Sequence, residues 1–449
     1  MRFFPHTSDD ISSMLKTIGI DSIDALSAHV SPDLRASARL KLAPGRAESE
    51  VAAAISSLAK GNLGAEGFTS FLGGGYYRHY IPAAVRAIAS RAEFGTCYTP
   101  YQAEASQGSL QAIFEFQTLI CQLTGLDVAN ASMYDGASAA AEAILMARRM
   151  NPKRKTVALS RTLWPDYRTA IRTYLSALEG VEVVELPFNA ESGTTDLGEV
   201  RRIADHNLLC VAAGYPNVFG VIEPLLQIAA ITREAGGALI SAIAEPLALA
   251  LLKTPAELGV DVAVGEGQSF GLPLEFGGPG VGFMAARSAY LRQMPGRLVG
   301  QTRDRDGRRA FCLTLAAREQ HIRREKATSN ICTNHSLCAL AVATYLALMG
   351  RRGLREVAAH NLELAHAAAL ALASRGLPRR FSGAFFNEFA VDVKDAGSAL
   401  AAAERKQILA GIDLGRDYPE LRGSLLLSVT EMNNEGEITA LCDSIAEEA

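Results

Sequence analysis

The sequence predicts an α/β protein in three parts: a helical amino-terminal arm, a large domain built on a mostly parallel sheet, and a smaller α+β carboxyl-terminal domain. Continuous apolar runs that alternate with helical segments predict the buried parallel sheet. After Arg323 this alternation gives way to two long helices rich in Ala and Leu and two strand-like runs. A chain of 449 residues has room for about three structural units. We therefore expect the parts to occupy residues 1–60, 61–325 and 326–449.

The arm is predicted to be helical because apolar residues recur there at helical spacing behind capping signals. Thr7 precedes the first apolar run, and Ser49 and Glu50 open an Ala-rich second run. Residues 61–110 are instead dense in Gly, aromatic and turn residues. Connecting loops do not require such a composition, which indicates that this segment has a binding or packing role.

The large domain is predicted from its alternating strands and helices. Apolar runs without a polar face indicate strands that are buried on both sides. Strands are expected at 156–159, 181–186, 208–212, 238–243, 260–264 and 281–285. Helices are expected at 109–124, 137–150, 164–178, 197–205 and 224–235.

The carboxyl-terminal part is predicted to begin with two helices, at 336–349 and 354–374, on either side of the segment GRRG. The segments FNEFAVDV and SLLLSVT then read as strands with a helix between them. The longest apolar stretches, 247–252 and 337–349, are shorter than the ~20 residues that cross a bilayer. We expect them to be buried helices, with no membrane span.

Composition and charge narrow the functional class. A net charge of -4 gives no global attraction to nucleic acid. The 7 cysteines include no C-x-x-C pair, which disfavours a zinc site or a disulfide framework. The amino terminus lacks the apolar region of a secretory signal and is acidic by position 9, so we expect a cytoplasmic location.

Two Gly-containing segments are candidate anion sites. GEGQSFG follows the strand VDVAV, but Pro273 stands where a phosphate-binding loop would start its helix, so a Gly-rich turn is the better interpretation. In YDGASAAAEA, Gly136 and Ser138 lie at a helix amino terminus, which favours an anion. Capping of this helix by Asp135 explains the same pattern and is slightly preferred.

A lysine able to form a Schiff base would be expected at a strand-to-turn corner on the carboxyl edge of the sheet. That corner is GEGQSFG, which contains no lysine. Lys253 and Lys326 are the remaining candidates, and for Lys326 a solvated or phosphate-steering role is the simpler interpretation. The segment ATSNICTNH concentrates short polar side chains before a long helix. Asn334 or Ser336 could cap that helix, but six such residues indicate a lining, with turn packing as the alternative.

Four long segments together resemble the P-protein of the glycine cleavage system, and within that family the amino-terminal-half (alpha) subunits of split glycine dehydrogenases (decarboxylating). The segments are FLGGGYYRHYIPAAV, EFGTCYTPYQAEASQGSLQAIFEFQTLICQLTGLDVANASMYDGASAAAEA, GEGQSFGLPLEFGGPGVGF and REQHIRREKATSNICTN. The resemblance covers nearly the whole chain. It implies the fold type I of pyridoxal phosphate (PLP) enzymes, with an arm, a large domain and a small domain.

The resemblance also implies an activity. The P-protein decarboxylates glycine on PLP and passes the aminomethyl group to the lipoyl arm of the H-protein. In the split form, the beta subunit carries the PLP lysine. Here the aligned turn has Gln268 or Ser269 in place of that lysine. Glu245 is acidic but shifted from the position of the usual partner of the cofactor's pyridine nitrogen, and we expect it to cap the next helix. We therefore expect no cofactor lysine and no metal site on this chain.

The leading hypothesis is a subunit that completes the active site of a beta subunit, acts with lipoylated H-protein on glycine, and assembles as an α2β2 heterotetramer. The density of Gly and aromatic residues between Phe68 and Tyr101 predicts a surface that the partner covers, with an intramolecular lid as the alternative. A stand-alone PLP enzyme and a purely structural scaffold remain open. The candidate shared-site residues are Tyr98, Tyr101 and Gln102, with Thr328, Ser329 and Asn330 as a polar wall.

Overall fold

The computed structural model describes residues 6–38, 40–64, 67–331 and 333–446. It divides into two compact units, Met1–Gly64 and Ala65–Ala449. The second unit is not divided further, so the boundary expected near residue 326 stays a prediction.

The first unit is helical, as the capping signals predict. In α1 (Ser8–Ile18), Thr7 and Asp10 form a reciprocal capping box, and Gly19 ends the helix in the left-handed conformation. The other helices of this unit are α2 (Pro32–Ser37) and α3 (Glu48–Ala59), and none of the three buries a residue. The described part of this unit therefore has no hydrophobic core of its own.

The second unit holds the sheets and the remaining helices. Its strands are β1 (Thr69–Ser70), β2 (Val128–Ala129), β3 (Thr156–Ser160), β4 (Glu182–Leu186), β5 (Leu208–Gly214), β6 (Ala238–Ile243), β7 (Val262–Glu266), β8 (Gly282–Ala286), β9 (Leu298–Arg303), β10 (Arg309–Thr314), β11 (Glu388–Asp392), β12 (Ile408–Leu409), β13 (Ile412–Asp413) and β14 (Ser424–Ser428). Its helices are α4 (Ala83–Ala89), α5 (Ala92–Gly95), α6 (Gln107–Thr124), α7 (Gly136–Met150), α8 (Pro165–Leu175), α9 (Leu197–Ile203), α10 (Leu225–Glu234), α11 (Gln320–Arg323), α12 (Ser336–Ala373), α13 (Ala396–Arg405) and α14 (Glu435–Ala446).

The central sheet has the order β2-β8-β7-β6-β5-β3-β4 in the described residues. The pairs from β4 to β7 are parallel, whereas β8 runs antiparallel to β7 and β2. Every residue of β5, β6 and β7 is buried, because α7 and α8 cover one face and α6, α10 and α12 the other. The predicted strands and helices of the large domain are confirmed. The hairpin β9–β10, which is partly buried, was not predicted.

Helix α12 connects the sheet to the carboxyl-terminal part. It spans the two helices predicted separately, which meet at Gly350, where the backbone leaves the helical conformation at φ 58°. By length and composition alone, α12 is the one helix of the described ranges that could cross a membrane. Its buried residues, however, belong to the two hydrophobic cores that it joins. The two helices expected at 336–349 and 354–374 are therefore confirmed, on either side of the kink at Gly350.

The carboxyl-terminal part is an antiparallel sheet in the order β11-β14-β13, packed against α12, α13 and α14. One further pairing ties it to the start of the second unit: β1 runs parallel to β12, with Thr69 opposite Ile408. This pairing holds the segment that follows β1, which contains Tyr77 and His79, against the carboxyl-terminal part.

Candidate functional site

The carboxyl ends of β6 and β7 form the edge where a cofactor lysine would be expected in this kind of sheet. Three buried carboxylates lie near it: Glu245 follows β6, Glu266 ends β7, and Glu388 begins β11. Buried carboxylates are costly unless they are paired or protonated, so each must have a structural explanation.

Glu266 places its carboxylate at the amino terminus of α7. Its oxygens accept hydrogen bonds from the backbone N–H groups of Gly136 at 3.2 Å, Gln268 at 3.2 Å and Val281 at 2.7 Å. Burial raises the pKa of Glu266 to about 7, although these hydrogen bonds oppose the shift. Asp135 caps the same helix by accepting a hydrogen bond from Ser138 N at 2.7 Å. The preferred interpretation, capping by Asp135, is confirmed, and the carboxyl group at this helix terminus is the chain's own Glu266.

The space over this helix terminus is filled by aromatic side chains. A Cβ atom at Gly136 would overlap the hydroxyl group of Tyr167, which is itself buried. Tyr76 lies close by, and the charge of Glu266 contributes to the raised pKa of Tyr76 after burial. The Tyr167 hydroxyl group and the Glu266 carboxylate thus both lie against the first residue of α7.

Gln268 stands at the corner where the resemblance places the missing lysine. Its side chain accepts a hydrogen bond from Tyr77 N at 2.9 Å and donates to Tyr77 O at 3.0 Å and to Leu272 O at 2.8 Å. Ser269 is also buried. Lys253 and Lys326 are both exposed. Gln268 therefore has a structural role, because its amide holds two backbone segments together. The corner does not fit a PLP group, because it offers a committed amide where the cofactor needs a lysine amine.

Glu245 is also committed to structure. It caps the short helix at 246–250 by accepting a hydrogen bond from Leu247 N at 3.1 Å, as predicted, and it pairs with His79 Nε2 at 2.8 Å. The other ring nitrogen of His79 lies 2.9 Å from Glu431. Burial by itself disfavours the imidazolium ion, but the two carboxylates raise the pKa of His79 to about 10. We call His79, Glu245 and Glu431 the buried triad.

Glu388 completes the attachment of the segment that follows β1. It accepts hydrogen bonds from Gly74 N at 2.6 Å and from the Tyr77 hydroxyl group at 2.9 Å. Burial raises its pKa to about 8. Phe71 and Tyr77 are buried with it. The predicted partner-covered surface between Phe68 and Tyr101 is therefore wrong for the first half of that segment, which is packed inside the unit because its carboxylate and amide partners lie there.

The second half of that segment carries the predicted site residues and is exposed. Tyr98 exposes 81% and Tyr101 52% of its surface, and Gln102 is exposed as well. The guanidinium group of Arg297 lies 5.6 Å from the ring centre of Tyr101. Arg297 is buried, and it contacts Glu319 at 3.6 Å and Asn334 at 3.4 Å. The structure thus links Tyr101 to the polar segment before α12.

The polar segment 327–335 makes contacts to its own chain. Ser329 donates a hydrogen bond to Glu142 at 2.7 Å, and burial raises the pKa of that carboxyl group. The side chain of Asn330 opposes the rise that burial causes in the pKa of Tyr174. Asn334 donates to Ser132 at 2.8 Å. The predicted caps of α12 are wrong: His335 is the N-cap and makes no side-chain cap, because Asn334 is directed toward Ser132.

Thr328 lines a cavity of about 340 Å³, together with Arg292, Arg318, Arg323, Lys326 and three further residues. We call it the Arg318 cavity. The described residues contain no cluster of His, Cys, Asp and Glu able to hold a metal ion. Sequence reasoning missed His79, Glu266, Glu388 and Arg297, and only Glu266, an acid at the end of a buried strand, left a local signal.

Comparison with known proteins gives the same assignment over the whole chain. Residues 1–445 match the family described as glycine cleavage system P-protein. A protein of Geobacillus kaustophilus named probable glycine dehydrogenase (decarboxylating) subunit 1 is 47% identical over 99% of both chains. A crystal structure of glycine decarboxylase (P-protein) in inhibitor-bound form is 42% identical, with a TM-score of 0.91 and full coverage of both chains.

A more distant neighbour shows the fold alone. The sphingosine-1-phosphate lyase of Burkholderia pseudomallei is 16% identical, covers 93% of this chain and 94% of its own, and has a TM-score of 0.64. These neighbours share fold type I of PLP-dependent enzymes, which confirms the predicted fold class. The full-length match, the sheet order and the quoted segments lead to one conclusion: the chain belongs to the glycine cleavage system P-protein family.

Proposed function

We propose that this chain is the alpha subunit of a glycine dehydrogenase (decarboxylating), which decarboxylates glycine and transfers the aminomethyl group to the lipoyl arm of the H-protein. The observation that carries this proposal is the match to subunit 1 proteins over 99% of both chains at 47% identity. Full coverage in both directions makes this chain equivalent to one subunit of a split enzyme. The proposed location is the cytoplasm.

The proposed division of labour leaves PLP on the partner, glycine dehydrogenase subunit 2 (beta). Three features of this chain support it. Gln268, one of the two residues at the expected lysine position, uses its amide to join two backbone segments. The Glu266 carboxylate occupies the anion position of α7. Glu245 is paired with His79. PLP supplies the electron sink for glycine decarboxylation where it is bound, and here the corresponding positions have structural roles.

The proposed contribution of this chain to chemistry lies in Tyr98, Tyr101 and Gln102. The Thr99-Pro100 turn fixes the backbone between the two tyrosines, and both side chains are exposed. Exposed, positioned hydroxyl groups can orient a glycine carboxylate or the arriving lipoyl sulfur in a pocket closed by a partner. Thr328, Ser329 and Asn330 form the proposed supporting wall, and their contacts to Glu142 and Tyr174 support a positioning role rather than a catalytic one.

A partner is also supported by the first unit. Its described residues include exposed large apolar side chains on each helix, among them Ile18, Leu34 and Ile55, and it has no buried residue to shield them. Exposed apolar surface of this kind is typical of an interface. The proposed assembly is an α2β2 heterotetramer, since symmetric pairing of heterodimers is the common arrangement.

Reconstitution tests the proposed function. The purified chain, subunit 2 and the mixture are compared for glycine–bicarbonate exchange, for H-protein-dependent decarboxylation, and for mass by light scattering. We expect activity only in the mixture, in a particle with the mass of α2β2. A stable monomer that ignores subunit 2, or full activity of subunit 2 alone, would contradict the proposal. A complex that forms and needs this chain, but tolerates loss of every proposed site residue, would favour the scaffold.

A further inference from the structure

The lining of the Arg318 cavity is rich in positively charged side chains. Arg292, Arg318, Arg323 and Lys326 line it, and the Thr328 residue adds a hydroxyl group. No carboxylate side chain lines the cavity in the described residues. Within the same part of the chain, none of the four cations makes an ion pair with a carboxylate. Like charges held close together without a counter-ion repel one another, and a bound anion would relieve this repulsion.

The guanidinium group of Arg318 is held in place by the fold. It donates a hydrogen bond to Gly296 O at 3.1 Å, while its Nε atom is buried without a hydrogen-bond partner among the described residues. Burial lowers the pKa of Arg318, the negative charge of Glu319 opposes this shift, and the charge of Arg149 adds to it. Arg323 is oriented by a hydrogen bond to Ala317 O at 3.2 Å. Two guanidinium groups are thus fixed by backbone contacts, with N–H donors left over.

The nearby acids are occupied elsewhere. Glu319 lies against Arg297 at 3.6 Å, and Glu142 accepts a hydrogen bond from Ser329 while standing 4.0 Å from Arg149. Arg149 also donates to Gln293 O, on the wall of the cavity, at 3.0 Å. The cavity lining and these neighbouring residues therefore contain more cationic side chains than carboxylates.

We propose that the Arg318 cavity binds a phosphate-class oxyanion. Arginine guanidinium groups present paired N–H donors that match the oxygens of phosphate, and a lysine adds a compact charge. A volume of about 340 Å³ accommodates more than a bare ion, so the phosphate of a small phosphomonoester and free inorganic phosphate are both admissible sources. This inference does not depend on the proposed function, with which it shares only Thr328.

The test is isothermal titration calorimetry on the full-length chain, alone and in complex with subunit 2, with inorganic phosphate and with glycerol 1-phosphate. The cavity variant is Arg323→Gln with Lys326→Met, both at exposed side chains. The matched control is Arg305→Gln with Arg308→Gln, which removes the same charge from the exposed turn between β9 and β10, where the two side chains expose 94% and 80% of their surface. Circular dichroism checks that each variant is folded.

We expect saturable binding of one oxyanion per chain, weakened by about tenfold to a hundredfold in the cavity variant and unchanged in the control. Equal affinity for both probes identifies the free ion as sufficient, and tighter binding of the ester identifies an organic phosphate; either supports the proposal. Absence of saturable binding in both forms of the chain overturns it. An equal loss in the control also overturns it, because that result means general charge attraction. Calorimetry does not measure glycine–bicarbonate exchange. A negative result here would therefore contradict the oxyanion site without bearing on the proposed function.

Discussion

His79 Nε2 lies 2.8 Å from Glu245, and this contact joins the segment after β1 to the end of the central sheet. Glu431 holds the opposite ring nitrogen at 2.9 Å and accepts a further hydrogen bond from Asn361 at 2.8 Å. The buried triad therefore connects the large sheet, the segment 71–80 and the carboxyl-terminal part through a single charged ring.

Replacing His79 with Gln should destabilise the protein by about 3–5 kcal/mol, because it leaves the buried Glu245 and the partly buried Glu431 without their cation. The folded pKa of about 10 lies above the usual 6.5, so the contribution of His79 is complete below pH 6.5 and is lost as the pH rises through about 10. Urea unfolding between pH 6 and 10 measures this difference. His206→Gln, at an exposed histidine, is the control. A difference from wild type that grows with pH would contradict the assignment.

Glu266 should make the protein less stable as the pH rises, whereas an acid paired with a cation makes it more stable. Its folded pKa of about 7 exceeds the usual 4.5, so its contribution to stability is present below pH 4.5 and is lost as the pH rises through about 7. In Glu266→Gln, the unfolding free energy should lack this decrease, which is on the order of 2–3 kcal/mol in the parent protein. Denaturant unfolding from pH 4.5 to 8 tests it. The exposed Glu234→Gln is expected to follow the parent protein.

Borohydride reduction in the presence of PLP should leave no stoichiometric phosphopyridoxyl group on this chain. The sheet corner has Gln268 in place of a lysine, and Lys253 and Lys326 are exposed rather than desolvated. Mass spectrometry of the reduced protein locates any label. Subunit 2, treated in the same way, serves as the positive control. Stoichiometric label on Lys253 or Lys326 would contradict this prediction and support the alternative of a stand-alone PLP enzyme.

Tyr98→Phe and Tyr101→Phe should each reduce glycine–bicarbonate exchange in the complex with subunit 2 by roughly tenfold to a hundredfold, as expected for a lost hydrogen bond that acts in the transition state. The particle mass should not change, because the rings stay. Tyr80→Phe, at an exposed tyrosine before α4, is the matched control. Full exchange activity in both variants would favour the alternative in which this chain is a purely structural scaffold.

The sequence predicted the large-domain elements because each depends on a local pattern. Buried strands such as β5 read as apolar runs, and helices such as α7 begin at a capping residue. The buried triad and Glu388 could not be found in this way. His79 and Glu245 are 166 positions apart, and Tyr77 and Glu388 are 311. No local pattern shows that a carboxylate will be buried against a partner so distant in sequence. The contact of Tyr101 with Arg297 could not be predicted for the same reason, because it too joins distant segments.

The pairing of β1 with β12 has a consequence for biosynthesis. Tyr77 leaves the ribosome 311 residues ahead of Glu388, which at roughly 5–20 residues per second is on the order of half a minute. During that interval, Tyr77 and Gln268 can form their hydrogen bonds, but neither Glu431 nor strand β12 has been synthesised. The edge of the central sheet is therefore sealed only when translation is nearly complete, and a nascent chain stalled before residue 388 would display that edge to the cell's chaperones.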